Sequence, residues 1–133
     1  LVLMVYASLL STFTGGEVVV GSVAGNLWYS TNNETAGPWT ANLSVASTSV
    51  SWYSMVNFTS SYTGQVKITW QLERKNGAWA NATGTKITTV TLSGANQEVY
   101  ASTDGDLAGN QDWKAYATTN GQYRVKAYIE TTS

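Results

Sequence analysis

Residues 65–73 read Gln-Val-Lys-Ile-Thr-Trp-Gln-Leu-Glu, and they constrain the fold more than any other stretch. In an extended chain Val66, Ile68, Trp70 and Leu72 fall on one side, with Lys67, Thr69, Gln71 and Glu73 on the other. Alternation of this kind requires a sheet with one face buried and one wet. Asn76-Gly77 follows, a dipeptide that supplies the positive φ of a tight hairpin turn. The pattern recurs in Gln122–Thr131, where Tyr123, Val125, Ala127 and Ile129 oppose Arg124, Lys126, Tyr128 and Glu130 after a second Asn-Gly pair, Asn120-Gly121. Trp39, Ala41, Leu43 and Val45 share one face of residues 39–45, and Val50, Trp52, Val56 and Phe58 one face of residues 50–58. Glu17–Val23, Leu27–Thr31, Lys86–Leu92, Gln97–Ser102 and Asp112–Thr118 also read as strands. Trp79–Gly84 reads as an edge or loop, and Thr103–Gln111 as a loop. No window carries a helical period of useful length. Strands with turn signals about every 8–12 residues predict an all-β fold, an antiparallel β-sandwich of jelly-roll or Ig-like type.

The first ten residues, Leu1–Leu10, break the alternation. Leu1, Leu3, Val5, Ala7 and Leu9 would lie on one face of a strand and Val2, Met4, Tyr6 and Leu10 on the other, so both faces are apolar and both need cover. The run is too short to span a bilayer, which takes about 20 residues. It also lacks the charged start of a signal peptide. Phe13 follows, then Gly15-Gly16, a pair that permits a sharp turn or a hinge. The expected organisation is an apolar N-terminal donor strand over residues 1–14, hinged at Gly15 and Gly16, and a single β-sandwich domain over residues 15–133.

Composition removes several kinds of chemistry. With 133 residues the chain is the size of one domain that can bury a core without staples. It has no cysteine and no histidine, so disulfides, thiolate sites and the usual general base near neutral pH are absent. Charged residues are 11% and net charge is −1, which leaves no basic patch for nucleic acid. Ser and Thr together number 33, and this polar, weakly charged surface suits an extracellular, cell-surface protein. No cofactor is expected.

Three constellations remain. Asp104, Asp106, Asn110 and Asp112 form the one acid cluster; their spacing departs from an EF-hand, and they read as a solvated turn or a Ca²⁺ loop. Four sequons, beginning at Asn33, Asn42, Asn57 and Asn81, are candidate N-glycosylation sites on loops or polar strand faces. Of the six tryptophans, Trp39, Trp52 and Trp70 fall on apolar faces and read as core. Trp79 and Trp113 lie near loops; they too read first as core, with a sugar-stacking or inter-subunit surface as the alternative.

The segment Tyr6–Val20, with its Thr12-Phe13-Thr14-Gly15-Gly16 turn into a β-branched run, resembles the start of mature camelysin/TasA-type fibre proteins. Residues 56–70, from Val56 to Trp70, resemble that family's strand–turn–strand element. Together these cover about a fifth of the chain, and Ser8-Leu9-Leu10 stands where the family usually has acidic and aromatic residues. The resemblance implies a jelly-roll-like subunit of a secreted fibre, such as a biofilm matrix fibre or an archaeal bundling pilus. In such fibres one subunit's N-terminal segment completes the sheet of the next. The expected partners are therefore identical subunits arranged head-to-tail, with neighbouring filaments in bundles, and no membrane span. A donated apolar strand of this size would contribute on the order of 10 kcal/mol before ordering costs. The alternatives are a type IV-like pilin with a helical N-terminus, a secreted carbohydrate-binding β-sandwich, and an enzyme using Asp104, Asp106 or Asp112.

Overall fold

A computed structural model describes residues 9–15, 20–32, 39–41 and 50–132. The strands are β1 (Leu9–Thr14), β2 (Val20–Gly21), β3 (Gly25–Ser30), β4 (Tyr53–Phe58), β5 (Thr63–Asn76), β6 (Ala78–Ser93), β7 (Gln97–Tyr100) and β8 (Gln122–Thr131). They form a five-stranded antiparallel sheet, β2-β1-β8-β5-β6, against a three-stranded one, β3-β4-β7. The protein is an all-β sandwich, as the alternation predicts. Among the described residues there is no α-helix.

The inward residues of β5 are those read from its pattern: Val66, Ile68, Trp70 and Leu72 are all fully buried. Val125, Ala127 and Ile129 of β8 join them, and together they meet Leu27 and Tyr29 of β3, Val56 and Phe58 of β4 and Val99 of β7 in one core. Gly77 takes φ +80° between β5 and β6, the turn that Asn76-Gly77 predicts.

Two stretches depart from the sequence expectation. The first is β6, a single 16-residue strand where a loop or edge followed by a separate strand was expected. It stays continuous through a bulge: Gln71 faces Thr85 and Glu73 faces Asn81, so residues 82–84 stand against Leu72 alone. Gly84 carries the irregular backbone at φ +145°, and a Cβ there would come within 2.8 Å of Tyr116. The Gln71 side-chain amide donates to the carbonyls of Leu72 and Ala82, each at 2.8 Å, and satisfies acceptors that the bulge takes out of the ladder.

The second is Asp112–Thr118, expected as a strand. It forms a 3-10 turn at Trp113–Ala115. The Asp112 carboxylate accepts from the amides of Lys114 at 3.0 Å and Trp52 at 3.2 Å, which starts the turn and ties it to the chain just before β4. The Trp113 amide donates to the Trp52 carbonyl at 2.9 Å, and its indole Nε1 donates to Ser54 Oγ at 3.0 Å. The segment thus drives one side chain into the core instead of pairing along a ladder.

The long edge of β6 is partly closed by the loop after β7. Thr89 donates to the Thr103 carbonyl at 3.1 Å. The buried Thr88 hydroxyl accepts from Trp70 Nε1 at 2.9 Å and donates to the Ser102 carbonyl. One hydroxyl therefore links the core, the edge strand and the covering loop.

Tyr29 spans the two sheets. Its hydroxyl donates to the Val125 carbonyl at 3.1 Å and accepts from the Val125 amide at 2.9 Å. Burial pushes its pKa from 10.0 up to about 12, against the lowering effect of these backbone hydrogen bonds. A folded-state pKa above the unfolded one gives stability that is complete below pH 10 and is lost as pH rises toward 12, because the unfolded chain sheds its proton first. A shift from 10.0 to about 12 corresponds to a loss of about 2–3 kcal/mol. Tyr100 is also raised to about 12, by burial and then by its hydrogen bond to Glu98, so it adds to the same loss. Denaturant melts at pH 8 and pH 11.5 should show a marked fall for the wild type. The fall should be smaller for Tyr29→Phe, which begins less stable at pH 8 for want of two hydrogen bonds. An equal fall in both proteins would refute the assignment.

Candidate assembly segment and surface sites

The proposed donor stretch divides in two. Leu1, Val2, Leu3, Met4, Val5, Tyr6 and Ala7 lie outside the described residues. Leu9, Leu10 and Phe13 do not behave as a free strand, because β1 is an internal strand of the chain's own larger sheet. Its register with β8 runs from Leu9 opposite Glu130 to Thr14 opposite Lys126, with an irregularity between Leu9 and Ser11. On its other side Ser11 and Thr12 face Gly21 and Val20. Ser11 Oγ donates to the Val23 carbonyl at 2.9 Å and accepts from the Val23 amide at 2.7 Å. Phe13 is fully buried, its ring centroid 5.6 Å from that of Phe58, and Leu10 packs on the same core. The boundary expected after residue 14 is therefore corrected: residues 9–14 belong to the sandwich. The physical reason lies in Ser11–Thr14, whose alternation places Phe13 inward and makes this half of the stretch an ordinary core strand.

Gly15 is corrected too. A Cβ on it would stand 2.0 Å from the Tyr29 ring, so this glycine lets the backbone pack against the tyrosine that joins the sheets. It is a close-packing residue instead of a hinge. Gly16 lies outside the described residues.

The sequons also separate. Asn33 and Asn42 lie outside the described residues. Asn57 is half-buried in β4, the middle strand of its sheet, opposite Asn26 and Glu98. Asn81 is exposed on β6, at the rim of the larger sheet.

Three side chains of the acid cluster hold backbone amides. Asp104 Oδ1 accepts from the Asp106 amide at 3.3 Å, Asn110 Oδ1 accepts from the Ala101 amide at 3.2 Å, and Asp112 holds the 3-10 turn. Among the described residues no three His, Cys, Asp or Glu side chains stand where they could hold a metal ion. No helix among them is long and apolar enough to cross a membrane.

Among the tryptophans Trp52, Trp70 and Trp113 are core as read, and Trp39 is not. Trp113 is fully buried with Trp52, ring centroids 6.3 Å apart, and takes the core reading of its two. Trp39, expected in the core, is half-buried on the outer face of the smaller sheet, 5.9 Å from the Tyr100 ring. There it forms, with Trp28, Met55, Asn57 and Glu98, a groove of about 250 Å³. Sequence reasoning missed this groove because Trp28 precedes Tyr29 in a short strand, and either could have taken the inward side. The one available signal was Tyr29, whose neighbours Leu27 and Thr31 share its parity. Trp79 is half-buried on the outer face of the larger sheet, with the Arg124 guanidinium 4.3 Å from its ring centroid.

No protein-family model, curated protein or solved structure matches this chain.

Proposed function

We propose that this protein is a structural subunit of an extracellular filament, assembled by lodging the apolar residues Leu1–Ala7 of one copy in the sheet of the next. The observation that carries the reading is the run before Leu9, whose sequence is apolar on both faces of an extended chain and so needs cover on both. Leu9, next to that run, is 59% exposed. β1 itself is already paired on both sides, with β8 and β2, so the apolar run before it is the part left for a second copy. A groove in a second copy supplies backbone hydrogen bonds and alternating side-chain pockets. Such a contact is head-to-tail, does not close, and propagates as a fibre. The resemblance to camelysin/TasA-type proteins implies the same arrangement.

Negative-stain microscopy of the native protein should show fibres, and a chain lacking Leu1–Ala7 should give none. Monodisperse particles from the full chain would sink the reading.

A second reading, a saccharide-binding sandwich, is favoured by the groove on the smaller sheet. Trp28 and Trp39 offer ring faces, Asn57 and Glu98 offer polar groups, and the buried Trp39 Nε1 has no hydrogen-bond partner among the described residues. Screening against a panel of glycans would decide it: binding lost at least tenfold in Trp28→Ala favours this reading, and no binding by the wild type excludes it.

A further inference from the structure

From the outer face of the larger sheet we infer that Asn81 carries an N-linked glycan whose first sugar packs on the Trp79 ring. This inference rests on the extracellular placement just proposed. Trp79, Asn81 and Thr83 alternate along β6, and the register puts Trp79 opposite Lys75 and Asn81 opposite Glu73. Residues at i, i+2 and i+4 of a strand share a face, so the aromatic ring, the acceptor amide and the sequon hydroxyl project together. Asn81 and Thr83 are exposed. The bulge at residues 82–84 does not break the alternation, since Ala82 packs toward the core and Gly84 is buried.

Beside the sequon lies a prepared surface. Glu73 and Arg124 form an ion pair at 2.7 Å, and both side chains are mostly buried although they belong to the solvent face. The Arg124 guanidinium lies 4.3 Å from the Trp79 centroid, with Lys75 Nζ on the same ring at 6.0 Å. A ring held by cations cannot turn freely, so its remaining surface is presented in a fixed orientation. An immobilised aromatic plane suits the apolar C–H face of a pyranose, and a sugar attached one strand repeat away, about 6.6 Å along the strand, reaches it without ordering a long linker. Asn57, the other described sequon, is half-buried in a central strand.

The modification is a glycosyl transfer. The Asn81 Nδ2 attacks C1 of a sugar activated as a lipid-linked diphosphate. The N–C1 bond forms, the C1–O bond to the diphosphate breaks, and the diphosphate departs with that electron pair. The amide gives one proton to the transferase and keeps one N–H.

The test uses the full chain from an N-glycosylating host. Glycopeptide mass spectrometry should find Asn81 occupied, and Thr83→Ala should abolish that occupancy. Thermal melts then measure the packing. Asn81→Gln should lower Tm by about 2–5 °C when Trp79 is present, and by much less in a Trp79→Ala background. An unmodified Asn81, or equal shifts in both backgrounds, overturns the inference. The Tm comparison needs both background proteins folded, and Trp79→Leu, which removes the aromatic plane but keeps apolar bulk, replaces Trp79→Ala if that variant does not fold. Fibres with a bare Asn81 would refute this inference alone, and a glycosylated chain that forms no fibres would refute only the assembly reading.

Discussion

Removing Leu1–Ala7 should leave a folded monomer, whereas removing Leu1–Phe13 should leave no folded protein. The two deletions differ by six residues, and the sheet explains why those six matter. Deleting through Phe13 strips β1 from between β8 and β2, leaves one edge of β8 without its ladder, and frees Val23 from both of its hydrogen bonds to Ser11. It also empties the space of Phe13, which alone costs about 3–5 kcal/mol. A domain of this size has only about 5–15 kcal/mol in all, so the sum is enough to unfold it. Deleting Leu1–Ala7 touches none of these contacts. Circular dichroism, with size exclusion and microscopy, reads the outcome: the short deletion keeps the β spectrum and a cooperative melt but forms no fibres. If the longer deletion also gives a cooperatively melting monomer, β1 is dispensable and the strand assignment fails. If the short deletion still forms fibres, assembly proceeds without the apolar run.

The contrast between those deletions also marks how far the sequence could be read. Period-2 alternation exposes a strand wherever one face is dry and the other wet, so β5 and β8 were legible residue by residue. Residues 9–14 were harder, because Leu9-Leu10 continues an apolar run while Ser11–Thr14 begins an alternation, and only the pairing with β8 separates the two. Gly84 misled for a different reason. A glycine in a strand pattern signals either an end or a bulge, and the side chain that decides between them, Gln71, lies on another strand. Asp112–Thr118 has apolar and polar residues in alternation yet forms a turn, because Asp112 satisfies two amides that a ladder would otherwise take.

Surface chemistry was less legible than the fold. The Asn81 sequon is visible as three letters, and Trp79 two residues before it, but the Arg124 that orients the ring comes from β8, more than 40 positions later. The Glu73–Arg124 pair depends on the register of β5 with β8, which composition and periodicity leave open. The groove of Trp28 and Trp39 likewise needs both the direction of β3 and the position of residue 39, whose neighbour Thr40 exchanges backbone hydrogen bonds with Tyr29 at 2.7 Å.

Trp113→Ala should be far more damaging than Trp79→Ala, although both tryptophans lie near loops in the sequence. Trp113 is fully buried and touches Trp52 and Tyr116 with its ring. Truncation removes a large apolar volume from a site bounded by two sheets, where little can collapse to fill it, and costs about 3–5 kcal/mol. It also leaves Ser54 Oγ, itself fully buried, without the indole donor, which adds to the loss. Tm should fall by roughly 10–20 °C at this chain length. Trp113→Phe restores most of the volume but not the donor, so it should recover much of the loss and leave a deficit of about 1–3 kcal/mol for the orphaned hydroxyl. Adding Ser54→Ala to Trp113→Phe removes the orphan and should recover part of that deficit, a coupling that two independent sites would not give. If Trp113→Ala instead melts within a few degrees of the wild type, Trp113 does not anchor the turn, and the segment from Asp112 to Ala117 is held by the Asp112 carboxylate and its backbone hydrogen bonds.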